Sequence, residues 1–146
     1  MNITATKLRA ASIEDLTEIC SLENTVFTHD AWSSQLLREE LLDPSRKYFV
    51  ALDGQQIIGY GGIALAIDFC DIMTLAVAEE YRGQGVGKQL VETLLRQARS
   101  NVLLEVRADN TSAISLYTLY GFVEIAQRKN YYPGKVDALV MMKEIS

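Results

Sequence analysis

The chain has 146 residues, which suits one domain around one hydrophobic core. With 49% apolar and 23% charged residues it has the balance of a globular protein, which excludes the disordered, collagen-like and low-complexity classes. A net charge of −5 with no basic run argues against a nucleic-acid binder and favours a cationic partner, an amine or a basic peptide.

Met1 to Arg9 carries no apolar core and no cleavage pattern, so no signal peptide is expected. Thr4 to Ala10 reads as a first strand. Ser12 then caps a helix, with Asp15 three residues on, and Ile13, Leu16, Ile19 and Cys20 recur at helical spacing. A second short helix is expected from Ser33, carrying Leu36, Leu37 and Leu41 and ending before Asp43-Pro44.

Lys47 to Leu52 reads as a strand, Asp53-Gly54 as a hairpin turn, and Gln56 to Ile67 and Asp71 to Val77 as two further strands. Asp68, Asp71 and three glycines interrupt this apolar stretch, so a membrane span is not expected. Gly59, Gly61 and Gly62 predict a bulge or a close backbone approach. A helix follows from Val86 to about Ser100, its apolar face set by Val86, Leu90, Leu94 and Ala98. Asn101 to Val106 is a strand, and Thr111 to Tyr120 a helix with Gly121 placed to cap it. Val123 to Gln127 and Asp137 to Lys143 are the last strands, joined through a turn at Pro133-Gly134. Early hairpins and a later strand–helix–strand crossover predict an α/β fold. It has a mixed, mostly antiparallel sheet of about seven strands, about four helices on its two faces, and a single domain over 1–146.

Two cysteines, Cys20 and Cys70, and one histidine, His29, give neither metal-ligand spacing nor a disulfide framework. No metal is expected, and the chain reads as reduced and cytoplasmic.

The most specific local pattern is Arg82-Gly83-Gln84-Gly85-Val86-Gly87, followed by Lys88. It stands between a strand end and a helix start, where main-chain N–H groups lack helical partners and the helix dipole adds positive charge. Glycine lets that backbone approach a diphosphate closely. Arg82 and Lys88 can add charge at the rim. The Walker loop is excluded because Arg82 replaces its first Gly and Gln89 its Ser or Thr. A dinucleotide fingerprint is excluded because Lys88 stands where its last Gly belongs.

Arg82-x-x-Gly85-x-Gly87 resembles the pyrophosphate signature of the GNAT family of N-acetyltransferases. The run from Asn110 through Ala113, Leu116, Tyr117, Gly121 and Phe122 resembles that family's second signature. The resemblance spans the whole chain and implies the GNAT fold and acetyl-CoA as co-substrate. It implies a pantetheine arm lying between splayed strands, along Leu75, Ala76 and Val77, where a free N–H would serve as oxyanion donor. Asn110 resembles the family's cofactor-contacting Asn, although its residue type also suits a helix cap.

Acetyl transfer to an amine needs a base, an acid and orientation. Glu105, inside the apolar strand Val102–Val106, is the candidate base, acting directly or through a water and expected to be partly desolvated beside a cleft. By spacing alone it could equally be a solvated glutamate or a partner of Arg107. Tyr117 is the candidate acid, a phenol titrating near 10 that protonates a thiolate whose thiol titrates near 8.5. By spacing alone it is a core aromatic. The resemblance implies the catalytic role for both.

An α-amine costs about 3.5 kcal/mol less to deprotonate than a lysine, so a modest base suits an N-terminal substrate. Arg128-Lys129-Asn130-Tyr131-Tyr132-Pro133 closely resembles a segment of the RimI-type members of the family, which acetylate the N-terminal alanine of small-subunit ribosomal protein eighteen. Phe27 and Trp32 match those enzymes' aromatic entrance segment. The resemblance implies that Tyr131, Tyr132, Phe27 and Trp32 bind the incoming peptide, while cross-strand packing is the plain alternative for the tyrosines. Ala31 and Val136 depart from the family pattern, and both flank this peptide site. The expected activity is therefore N-terminal acetylation of a ribosomal protein. Acetylation of a small amine or a lysine is one alternative, and a non-catalytic acyl-CoA-binding module is another.

Overall fold

A computed structural model describes residues 6–28 and 30–145, so Thr4, Ala5 and His29 of the sequence reading lie outside the described residues. The described elements are β1 (Lys7–Ala10), α1 (Leu16–Val26), α2 (Ser34–Leu42), β2 (Arg46–Asp53), β3 (Gln56–Ala64), β4 (Phe69–Val77), α3 (Val86–Gln97), β5 (Asn101–Arg107), α4 (Thr111–Leu119), β6 (Val123–Tyr132) and β7 (Val136–Lys143). A 3-10 turn, Ile13–Asp15, leads into α1. Its Asp15 carboxylate accepts the Ser12 N–H at 2.9 Å and holds Arg9 at 2.8 Å. Ser33 caps α2 by accepting the Leu36 N–H at 3.1 Å.

Among the described residues, several boundaries differ from expectation by one or two residues, and three differ by more. β3 stops at Ala64 rather than Ile67, because its partner β2 begins at Arg46, which pairs with Ala64. The next N–H, of Leu65, turns to the Ser45 carbonyl at 2.8 Å. α3 ends at Gln97, since Ala98 is already extended toward β5. β6 runs on to Tyr132 instead of ending at Gln127. A bulge absorbs the polar residues there: Asn130 takes a φ of 53° and gives its N–H to Asp137 Oδ1 at 2.9 Å, and pairing resumes at Tyr132 with Val136.

The seven strands form one sheet in the order β1-β2-β3-β4-β5-β7-β6, antiparallel except between β4 and β5. That parallel pair is short. It runs from Phe69 opposite Asn101 to Ile72 opposite Leu104 and then stops. β4 stays on β3 as far as Val77, and β5 stays on β7 as far as Arg107. The two strands therefore part beyond Ile72 and Leu104. At the same place β4 skips a register position against β3, since Thr74 faces Gly62 while Ile72 faces Ile63. Met73 is thus the extra residue of a bulge, which bends a strand and raises its twist.

Side chains alternate across the sheet. Ile19, Leu22 and Leu37 of α1 and α2 pack on Tyr48, Val50 and Tyr60. On the other face Val86, Leu90, Val91 and Leu94 of α3 pack on Ala51, Ile58, Ile63 and Ile72, and Tyr117 and Phe122 join this layer. Each such buried aliphatic side chain contributes about 1.5–3 kcal/mol. The glycines of β3 permit both contacts. A methyl group at Gly59 would press on Val86 and Leu90, and one at Gly62 would collide with the ring of Tyr48.

Candidate active site

The parting of β4 from β5 opens two connected depressions. A cleft of about 1460 Å³ runs from the α3 loop along Leu75, Ala76 and Val77 to Asn110 and Leu116 of the α4 region. A chamber of about 160 Å³ lies deeper, between Ile72–Leu75 of β4 and Leu104–Arg107 of β5. Leu75, Phe27, Asp30, Arg107, Asn110 and Ala113 line both. Past Ile72 the main-chain groups of β4 that face β5 have no strand partner. They are left to hydrogen-bond a ligand, at the place where an oxyanion donor was expected.

The cleft's outer end is the glycine-rich loop. Gly83 and Gly85 adopt φ of 77° and 87°, and a side chain at either would meet nothing within 4 Å. Space is therefore not the constraint; the left-handed backbone is. Among the described residues no acceptor is engaged by the N–H groups of Gly83 through Lys88, while the Gln89 N–H closes the first helical bond to Gly85 at 3.1 Å. Six free donors at the start of a twelve-residue helix are available to an anion. Arg82, Gly83, Gly85, Gly87 and Lys88 line the cleft. The Arg82 Nε is folded onto the Val77 carbonyl at 3.2 Å. Two expected members offer only their backbone: Val86 is buried in the core, and the Gln84 amide turns back to the Glu80 carbonyl at 3.3 Å.

Asn110 caps α4, its Oδ1 accepting the Ala113 N–H at 3.1 Å. It also lines both depressions, so the cap and the cleft position coincide.

Glu105 and Tyr117 are brought to the same chamber from β5 and α4. The Glu105 side chain is 33% exposed and pairs with Arg128 at 3.3 Å. It is therefore neither desolvated, as expected, nor held by Arg107, which is taken up by Asp109 at 3.1 Å and Asp30 at 3.4 Å. Tyr117 is 6% exposed, with its ring edge-on to Phe122 at 5.7 Å. Burial, and then Tyr132, pushes its phenol well above the ordinary value. A thiol is the stronger acid of the two even in water. Proton transfer from this phenol to a thiolate is therefore uphill, and it requires that a proton reach the phenol oxygen in the same event.

Sequence reasoning missed two further carboxyl groups in this chamber, Asp30, which holds Arg107, and Glu23. It is 2% exposed; its Oε2 accepts the Trp32 N–H at 2.9 Å, and its Oε1 is buried with no partner. Burial raises its pKa to about 7, against the lowering effect of the Trp32 N–H and with a further push from Asp30. The signal was present: Glu23 stands four residues after Ile19 and seven after Leu16, on the stripe that α1 buries.

Phe27 and Trp32 line the chamber. The two tyrosines separate. Tyr132 lines the chamber, half-buried under the Arg107 guanidinium at 5.4 Å, and burial followed by Glu105 pushes its pKa to about 12. Tyr131 lines neither depression; it is 50% exposed under Arg128 at 5.1 Å. Among the described residues no three His, Cys, Asp or Glu side chains gather as a metal site, and no helix is long and apolar enough to cross a membrane.

Comparison with known proteins agrees with this fold. A putative ribosomal protein bS18-alanine N-acetyltransferase of Bacillus subtilis is 33% identical over 149 aligned positions, covering 98% of each chain. An uncharacterized protein of Mycobacterium leprae is 36% identical over 138 positions and 89% of this chain, which spans only 38% of that longer protein. The crystal structure of the ribosomal-protein-S18-alanine N-acetyltransferase from Escherichia coli superposes with a TM-score of 0.89 at 27% identity, covering 97% of this chain and 95% of the other. The profile of the acetyltransferase (GNAT) family matches residues 13–122, about three quarters of the sequence, and the chain belongs to that family.

Proposed function

We propose that this chain transfers acetyl from acetyl-CoA to the N-terminal amine of a protein, and that the N-terminal alanine of small-subunit ribosomal protein eighteen is its substrate. The observation that carries the reading is the parting of β4 and β5, which joins an anion-binding loop to a small chamber holding three carboxyl groups and two phenols. The free N–H groups of Gly83 to Lys88 suit the pyrophosphate, with Arg82 and Lys88 beside it. Leu75, Ala76 and Val77 offer the unpaired strand edge to the pantetheine amides, and Asn110 and Leu116 close the cleft's opposite wall. No metal enters the scheme.

Glu105 acts as base and Tyr117 as acid. Glu105, exposed and ion-paired, works through a water rather than against the amine itself. Tyr117 hands a proton to the leaving sulfur as its own oxygen is re-protonated. The chamber of about 160 Å³ is below the range of ordinary ligand pockets and suits the first residue of a chain with a small side chain. Phe27, Trp32 and Tyr132 wall it, with Tyr131 at the outer rim. The two relatives named for the ribosomal-protein activity support the choice of protein. The continuous seven-stranded sheet supports reading 1–146 as one catalytic domain, and the two free cysteines support a cytoplasmic setting.

The test is to incubate the protein with acetyl-CoA and a peptide carrying the ribosomal protein's N-terminus, and to map the acetyl group by mass spectrometry. Acetyl on the α-amine is the expected result; an acetylated internal lysine with a free N-terminus would reject the reading.

A further inference from the structure

An ammonium must lose two protons to become an amide N–H, and the scheme above names one acceptor. The chamber holds a second. Glu23 has one oxygen fixed by the Trp32 N–H and the other buried without a donor, an arrangement that costs stability unless a ligand completes it. It lines the chamber with Glu105, Tyr117 and Tyr132. We propose that Glu23 is the receptor for the substrate's ammonium group, its free oxygen taking the ammonium's hydrogen bond and then its first proton.

This rests on the activity proposed above. The first proton passes from nitrogen to Glu23 Oε1. The nitrogen lone pair then forms the C–N bond at the thioester carbonyl carbon. The adduct's nitrogen gives its second proton through water to Glu105, and the C–S bond breaks with its electron pair on sulfur. Sulfur takes the Tyr117 proton as a water in the chamber re-protonates the phenol oxygen, and Glu23 and Glu105 each release their proton to solvent before the next turnover.

The matching of acidities favours an α-amine. A carboxyl group near 7 faces an α-ammonium at 7.7–8.0, so the transfer is uphill by only about tenfold. Against a lysine at 10.4 it is uphill by more than about a thousandfold. The groups facing Glu23 are Asp30 beyond α1, Tyr48 of β2, Glu105 and Arg107 of β5, Tyr117 of α4 and Tyr132 of β6, with Cys20 on its own helix. Arg107 is already held by Asp30 and Asp109, which leaves the incoming ammonium as the cation for Glu23.

Glu23→Gln keeps the size of the side chain and an oxygen for the Trp32 N–H. With an alanine-starting peptide, E23Q is expected to lose about a hundredfold or more in kcat/KM and the acid limb of its pH profile near 7, while calorimetry finds acetyl-CoA binding unchanged. Activity within about twofold of wild type, with the limb intact, would overturn the proposal. A readout without turnover is the titration of the Glu23 carboxyl, followed by carbon NMR, with and without alaninamide. Alaninamide should lower its midpoint, and an unmoved midpoint would also overturn the proposal. A wild-type protein that acetylates no N-terminus would reject the activity, and the alaninamide titration would then decide this inference alone.

Discussion

Tyr117 and Phe122 meet edge to face, and only the hydroxyl of Tyr117 distinguishes its part in the core from a part in chemistry. Tyr117→Phe keeps the ring contact and should leave the melting temperature within a few degrees of wild type. It should lower kcat by about a hundredfold or more if the hydroxyl supplies the leaving group's proton. Steady-state kinetics beside a thermal melt separate the two. Glu23 makes a prediction of opposite character. Its pKa is raised from 4.5 to about 7, so the folded state holds this proton more tightly than the unfolded chain does. The associated stability is present below about 4.5 and is lost as pH rises through about 7, by at most about 3 kcal/mol. Thermal melts of wild type and E23Q should therefore diverge in favour of E23Q across that window and run parallel above it. A carboxyl group with the same affinity for its proton in both states would show no such trend. Glu23 was not recognised in the sequence because a glutamate on an amphipathic helix ordinarily faces water. Its place on the buried stripe was readable from helical spacing; the contact that fixes its carboxyl group, the Trp32 N–H nine residues away, was not. Glu105 shows the converse. Its strand was readable, but the ion pair that keeps it wet comes from Arg128, on a strand expected to stop one residue earlier.

The glycine loop and the strand glycines do different work, and substitution should separate them. Gly85→Ala meets no neighbour but must hold a φ of 87°, a conformation that disfavours a side chain by roughly 1–2 kcal/mol. The expected outcome is weaker binding of coenzyme A in calorimetry with a modest loss of stability. Gly62→Ala has an ordinary backbone and no space, since the Tyr48 ring occupies the position. It should cost about 1–3 kcal/mol in denaturant melts through overpacking. Coenzyme affinity, measured on the folded fraction, should change little. The loop was legible in the sequence because everything it needs is local: glycines, a following amphipathic helix and a preceding strand. The opening between β4 and β5 was not. It depends on where a parallel ladder stops and on a bulge at Met73, and both are set by pairing partners distant in the chain. The three glycines of β3 announced irregular backbone nearby without saying which strand would bulge; Ile58 of β3 and Met73 of β4 are the residues passed over in the registers on its two sides.

At the scale of the molecule, the acidic groups near the site are largely spoken for. Asp30 and Asp109 hold Arg107, Glu105 holds Arg128, and Asp137 holds Lys129. Beyond the first residue, the net charge of −5 therefore acts on a substrate as a long-range field rather than through individual contacts. Such a field steers cations toward the protein and is screened within about 10 Å at 0.1 M salt, against about 30 Å at 0.01 M. The kcat/KM for an alanine-starting peptide with arginines at the following positions should consequently fall as salt is raised over that range, by up to about tenfold. The same peptide with glutamates in those places should show the opposite slope, because screening then relieves repulsion. Stopped-flow or steady-state rates at fixed, saturating acetyl-CoA provide the comparison, since the coenzyme is itself an anion whose own salt response would otherwise be folded into the result. Equal slopes for the two peptides would mean that recognition ends at the first residue, inside the chamber, and that the acidity of the surface serves solubility alone.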